Sequence, residues 1–146
     1  MPADLLTHVL RQADRTLVLS HRLAEWLTHA PELEEDMALA NISLDLLGQA
    51  RHLYAYAGKL EGRGHDEDHF AYFRDAADFR NPLIVEQPNG DFAVTMVRQV
   101  LHDHAALLYW ESMRSSTDQT LAALAARAVN ETRFHLRHST GWLIRL

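Results

Sequence analysis

Apolar side chains recur every three or four residues through most of the chain, which is the spacing of one face of an α-helix. Over residues 4–28 they share one side of a predicted first helix, which Ala30-Pro31 follows. Proline suits the first turn of a helix rather than its interior, so we expect a second helix to begin near Pro31. The members of the first apolar row are Leu6, Leu10, Ala13, Leu17, Ala24 and Leu27.

The second predicted helix continues to about Leu60 and stops in Glu61-Gly62-Arg63-Gly64. Acidic residues crowd its first turn at positions 32–36, where the helix dipole favours negative charge. Its leucines and isoleucine point in nearly all directions around the axis. A helix that is apolar on all sides is buried on several of them, so we expect this helix to lie centrally.

Residues 62–91 are less regular. A short helix is predicted over residues 70–75, and Leu83 to Val85 could form a short strand. A third long helix is predicted from Asp91 to Arg114. Ser116-Thr117-Asp118-Gln119 has the S-x-x-Q form of a capping box, which predicts that a fourth helix starts there and continues to the end of the sequence.

Four long helices in two hairpins, joined by one long crossover connection, indicate an all-α fold, a ferritin-like four-helix bundle. We treat residues 1–146 as one such bundle.

Composition removes several classes of function. The chain has no cysteine, so it lacks a disulfide framework and a thiolate-held metal cluster. Its formal net charge is −6, which argues against non-specific binding of nucleic acid. No uncharged stretch approaches the roughly 20 residues that span a bilayer. We therefore expect a cytoplasmic protein that contacts neither nucleic acid nor a membrane.

Bundles of this class can hold two iron ions with a Glu from each of two helices and a Glu-x-x-His from each of the other two. Each predicted long helix carries one acid near its middle: Asp14, Asp45, Asp103 and Glu131. Asp14 and Asp45 are 31 positions apart, and Asp103 and Glu131 are 28 apart, as a duplicated hairpin would give.

The histidines do not follow this layout. Gly48 stands three residues after Asp45, and Phe134 stands three residues after Glu131. We therefore favour a bundle that binds no metal and has no catalytic residue, in which neighbours such as Arg11 and Arg15 neutralise Asp14. The vestigial di-iron positions are then Asp14, Asp45, Gly48, Asp103, Glu131 and Phe134. The alternative is a divergent di-metal oxygenase that uses Asp14, Asp45, Asp103, Glu131 and His135.

Ten histidines leave two smaller questions about cations. Glu131, His135 and His138 could share a helix face and bind a stray cation, although we favour an exposed polar face. His65 and His69 lie in an acidic segment and are expected to be solvated.

Four segments carry a resemblance to a known family. The sequence resembles PaaC, the C-subunit family of the bacterial phenylacetyl-CoA ring epoxidase, also called phenylacetate-CoA oxygenase. Members of that family are about 250 residues long, so the resemblance implies that C-terminal helices are lacking here. The segments are APELEEDMALAN (30–41), ISLDLLGQAR (42–51), VEQPNGDFA (85–93) and ETRFHLR (131–137).

The resemblance implies a ferritin-like subunit of an oxygenase complex in aerobic phenylacetate catabolism that is not itself catalytic. A homologous A subunit would hold the di-iron centre, and this subunit would bind and support it without a cofactor of its own. Other subunits would include a small B subunit and a reductase with flavin and an iron–sulfur cluster. A homodimer is expected when the chain is alone.

Overall fold

The fold is that of a computed structural model, which describes residues 2–146, with side chains from Asp4 onward. Those residues contain helices and connecting segments but no strand, so the predicted all-α class is confirmed. None of the helices in this range combines the length and the apolar composition needed to cross a membrane. The five helices are α1 (Pro2–Ala24), α2 (Leu33–Glu61), α3 (Glu67–Tyr72), α4 (Phe92–Met113) and α5 (Gln119–Arg145).

The chain divides into two compact units, residues 1–87 and residues 88–146. In the first unit α1 packs along α2, and α3 packs on α2 as well. In the second unit α4 packs along α5. Each unit is therefore built around one long helical hairpin.

The first hairpin follows the apolar rows of its sequence. Val9, Ala13 and Leu17 are buried on α1, with spacings of four residues that keep them on one face. Leu39 and Leu46 are buried on α2. Burial of these aliphatic side chains supplies the main stabilisation of the hairpin, at roughly 1.5–3 kcal/mol for each large one.

Helix α1 ends four residues earlier than predicted. After Ala24 the backbone makes tight turns, in which Trp26 N–H donates to Leu23 O and Leu27 N–H donates to Ala24 O, both at 3.1 Å. Thr28 then adopts a left-handed conformation with φ of 70°. An α-helix cannot continue through that conformation. The apolar Leu27 lies in the turn that follows Ala24.

Helix α2 ends where its sequence predicts. Gly62 has φ of 72° and its N–H donates to Gly58 O at 3.1 Å, which is the left-handed cap that favours glycine. Gly58 is needed for a second reason, because a Cβ atom there would lie 2.3 Å from the carbonyl oxygen of His65. The following loop therefore turns back closely onto α2.

The possible strand at Leu83 to Val85 is wrong. Residues Leu83–Glu86 form a 3₁₀ turn that packs against α1 and buries Val85 completely. Three apolar residues without a partner strand cannot form the backbone hydrogen bonds of a sheet. A helical turn forms some of these hydrogen bonds between its own residues. The short helix predicted over residues 70–75 lies three residues earlier, at Glu67–Tyr72.

Aspartates cap both helices of the second unit. The Asp91 carboxylate accepts from Val94 N–H at 2.8 Å at the start of α4, close to the predicted start. At the start of α5 the Asp118 carboxylate accepts from Leu121 N–H at 3.0 Å, so Asp118 is the N-cap. The predicted capping box put this role on Ser116, whose hydroxyl instead accepts from Asp118 N–H at 3.0 Å.

Candidate functional site: the buried acids

Asp14 lies on α1 in the centre of a hydrogen-bonded cluster and is completely buried. The Tyr54 hydroxyl on α2 donates to its Oδ1 at 2.5 Å, and the Arg80 backbone N–H donates to its Oδ2 at 2.8 Å. The Arg74 guanidinium forms an ion pair with the same carboxylate. One carboxylate thus joins α1, α2 and the segment after α3.

Aromatic rings surround the Arg74 guanidinium. Its central carbon lies 4.3 Å from the ring centre of Phe79, 5.7 Å from that of Tyr54 and 5.8 Å from that of Phe70. Its Nε also donates to Phe70 O at 2.8 Å. These contacts fix the guanidinium over Asp14, since arginine stacks well on aromatic faces.

Burial is the main cause that raises the pKa of Tyr54 far above its ordinary value. The negative charge of Asp14 and the hydrogen bond to it raise this pKa further, while Arg74 lowers it. The phenol therefore remains a hydrogen-bond donor to Asp14 over the whole physiological range of pH.

Asp14 has a cationic partner that its helical neighbours do not predict. Arg74, 60 residues away, forms the ion pair with its carboxylate. Of the two neighbours expected to neutralise it, Arg11 is exposed, and the Arg15 Nε donates to Gln12 at 3.0 Å. Helical spacing predicts contacts between residues of one helix, so it cannot predict a contact made by an irregular segment.

Asp103 is the corresponding buried acid of the second unit and is 2% exposed. Its Oδ2 accepts from the Ser139 hydroxyl on α5 at 2.9 Å, and its Oδ1 lies 3.1 Å from the Nδ1 of His102. Asp103 therefore ties α4 to α5, as Asp14 ties α1 to α2.

Asp45 and Gly48, the predicted vestigial di-iron positions on α2, lie away from the buried side of that helix. Asp45 is half-buried and interacts with neighbouring groups. Gly48 is also half-buried, and a Cβ atom there would meet nothing within 4 Å. The residues that face the interior at this level are Leu46, Gln49 and Ala50.

On α5 the interior face is shifted by one residue from the predicted pair. Glu131 is half-buried and Phe134 is 53% exposed, whereas Thr132 and His135 are 3% and 2% exposed. Thr132 and His135 are three residues apart and share the buried face of the helix. The row Ala125, Ala128, Thr132, His135 and Ser139 gives this register and was the signal available in the sequence.

The positions around these acids do not suit a metal ion. Within either unit, no three His, Asp or Glu side chains of the described residues come together in a group that could hold a metal, and this includes Glu131, His135 and His138. Asp14 already receives a hydroxyl, a guanidinium and an amide N–H. Donor groups of this kind repel a cation, because they present hydrogens to the carboxylate.

His65 and His69 are half-buried instead of solvated. Their rings stack with centres 3.5 Å apart, and His65 Nδ1 lies 2.5 Å from a Glu61 carboxylate oxygen. Both rings also meet the edge or face of buried Phe70. These contacts hold the loop that contains His65 against the end of α2 and against α3.

Long helical hairpins, one in each unit and each with a buried acid on its first helix, agree with the ferritin-like class of helical proteins. The chain belongs to the phenylacetic acid catabolic protein family, the family of PaaA and PaaC, which it matches over residues 2–146.

A relative in Escherichia coli (strain K12) is named as the C subunit of 1,2-phenylacetyl-CoA epoxidase. It is 54% identical over 143 residues, which make up 98% of this chain and 57% of the relative. The chain thus spans a little more than half the length of that relative. The predicted family is confirmed by these similarities.

Proposed function

We propose that this chain is a non-catalytic structural subunit of a phenylacetyl-CoA epoxidase complex, which binds and supports a homologous di-iron A subunit in aerobic phenylacetate catabolism. The observation that carries the proposal is the state of Asp14. Three donors of the same chain satisfy this buried carboxylate, so it serves to hold the hairpin together. The similarity to the C subunit of such an epoxidase supports the identity of the complex.

The cofactors follow from the same proposal. This chain carries none, the A subunit holds the di-iron centre, and a reductase subunit holds flavin and an iron–sulfur cluster. The complex works in the cytoplasm, and the chain forms a homodimer when it is alone.

Metal analysis of the co-purified complex tests the proposal. The A subunit is expressed with this chain, wild type or Asp103→Asn, and the iron bound per complex is measured together with epoxidation of phenylacetyl-CoA. We expect all the iron to depend on the A subunit and to be unchanged by Asp103→Asn. Two irons per chain in this protein alone would establish the di-metal oxygenase instead.

Co-purification supplies the second readout. The wild-type chain should bring down the A subunit at micromolar concentration, and the complex should turn over faster than the A subunit alone. Failure of the two chains to associate would contradict the structural role.

A further inference from the structure

Four asparagines lie among the described residues, and they differ in whether the backbone can attack the side chain. Asparagine loses its side-chain nitrogen when the backbone nitrogen of the next residue attacks Cγ and closes a five-membered ring. The reaction needs a next residue that has an N–H, lies outside a helix and carries no bulky side chain over its nitrogen. The four are Asn41, Asn81, Asn89 and Asn130.

Three of the asparagines are unsuited to this reaction. Asn41 lies within α2 and Asn130 lies within α5, where the next backbone N–H is engaged in the hydrogen bonding of the helix. Asn81 precedes Pro82, which has no N–H. The chain therefore suppresses ring closure at these positions by its fold or by its sequence.

Asn89 meets each requirement. It lies outside the helices, in the segment before α4, and the exposed Gly90 that follows it has no Cβ atom over its nitrogen. Among the described residues, no backbone carbonyl accepts a hydrogen bond from Gly90 N–H. Gly90 has φ of 61°, and a Cβ atom there would lie 3.0 Å from the side chain of Val94. The fold of this segment thus requires the residue that makes Asn89 reactive.

The Arg98 guanidinium lies against the side-chain oxygen of Asn89. Its Nη1 donates to Asn89 Oδ1 at 2.7 Å, and Arg98 is only 6% exposed. The Thr95 hydroxyl donates to Asn89 O at 2.8 Å, which holds the backbone of the same residue. A carboxylate in place of the amide would turn the contact with Arg98 into an ion pair, which is the stronger interaction.

We propose that Asn89 is a site of spontaneous deamidation, at which the chain converts its own asparagine to an acidic residue that pairs with Arg98. The Gly90 nitrogen forms a bond to Asn89 Cγ, the bond from Cγ to Nδ2 breaks, and the side-chain nitrogen leaves as ammonia with the proton of the Gly90 amide. Water then opens the cyclic imide to aspartate or isoaspartate. The net change consumes one water and releases one ammonia, and it does not depend on the proposed function.

Mass spectrometry of the wild-type chain tests the site. Protein stored at mildly alkaline pH in water labelled with the heavy oxygen isotope should gain one labelled oxygen, and peptide mapping should place it at residue 89. Asn41, Asn81 and Asn130 are internal controls and should stay unlabelled over the same period. No label at Asn89, or label that enters Asn41 or Asn130 as fast, would overturn the proposal.

Thermal melting tests the pairing with Arg98. Asn89→Asp supplies one product directly and should melt about 2–4 °C above the wild type, as one added charge-assisted contact does in a chain of this size. The same change in an Arg98→Gln chain should give no gain, because the counter-charge is absent. An Asn89→Asp chain that melts at or below the wild-type temperature would overturn the pairing, and this comparison stands even where Arg98→Gln does not fold.

Discussion

The Tyr54 hydroxyl donates a hydrogen bond of 2.5 Å to Asp14 across the interface between α1 and α2. Tyr54 is 1% exposed and its ring stacks parallel to that of Phe70, with 6.0 Å between ring centres. Because Asp14 also binds Arg74 and the Arg80 amide, the same carboxylate connects the helical hairpin to the segment that follows α3.

Asp14→Asn should be among the most destabilising single changes in the first unit. It leaves the Arg74 guanidinium, whose side chain is 10% exposed, without its counter-charge. Loss of one partner of a buried ion pair costs about 3–5 kcal/mol. Urea unfolding of the variant measures this cost, with Asp4→Asn on the exposed end of α1 as the control. Equal midpoints for the two variants would show that the cluster adds no stability.

Tyr54→Phe should change how stability depends on alkaline pH. In the native protein the pKa of Tyr54 is raised, so the unfolded chain releases its proton first, from about the ordinary value of 10.0. The stabilisation from this group is therefore complete below pH 10 and is lost progressively as the pH rises above it. Unfolding free energies at several alkaline pH values should fall more steeply for the wild type than for the variant. Parallel curves would contradict the prediction.

Two glycines of α2 should respond in opposite directions to the same substitution. Gly58→Ala places a Cβ atom 2.3 Å from His65 O, so the loop must move, at a cost of about 1–3 kcal/mol. Gly48→Ala meets open space and should stabilise the fold by about 0.5–1 kcal/mol, because alanine loses less backbone freedom in a helix. Thermal melts of both variants and the wild type give the order, and a shift of the same sign in both would refute it.

The N-cap of α5 can be located by alanine substitution. Asp118→Ala removes the acceptor for Leu121 N–H and should cost about 1 kcal/mol. Ser116→Ala removes only the turn hydrogen bond from Asp118 N–H and should cost less. Chemical unfolding of the pair measures the difference. A larger loss at Ser116 would favour the capping box that the sequence predicts.

The sequence was informative where periodicity governs the structure. The long helices, their starts at Asp91 and near Pro31, and the stop at Gly62 all follow from local spacing and cap residues. The end of α1 did not follow, because Leu27 continues the apolar row although the helix has already ended at Ala24. Local patterns fix helices better than their ends.

The candidate site was predictable only in part. Asp14 and Asp103 stood out as acids within apolar helices, and both are buried. The assignment of Glu131 and Phe134 missed the buried face of α5 by one residue, since one residue rotates a side chain by about 100°. Arg74 could not be found from spacing, because it reaches Asp14 from an irregular segment far along the chain.

The ion pair between Arg74 and Asp14 also determines where the counter-charge of the buried carboxylate comes from during folding. Its balancing charge is encoded in the same polypeptide and is present as soon as residues 1–87 have been synthesised. Arginine keeps its charge at every physiological pH and takes no part in electron transfer. The counter-charge of Asp14 is therefore supplied within the first unit at every physiological pH.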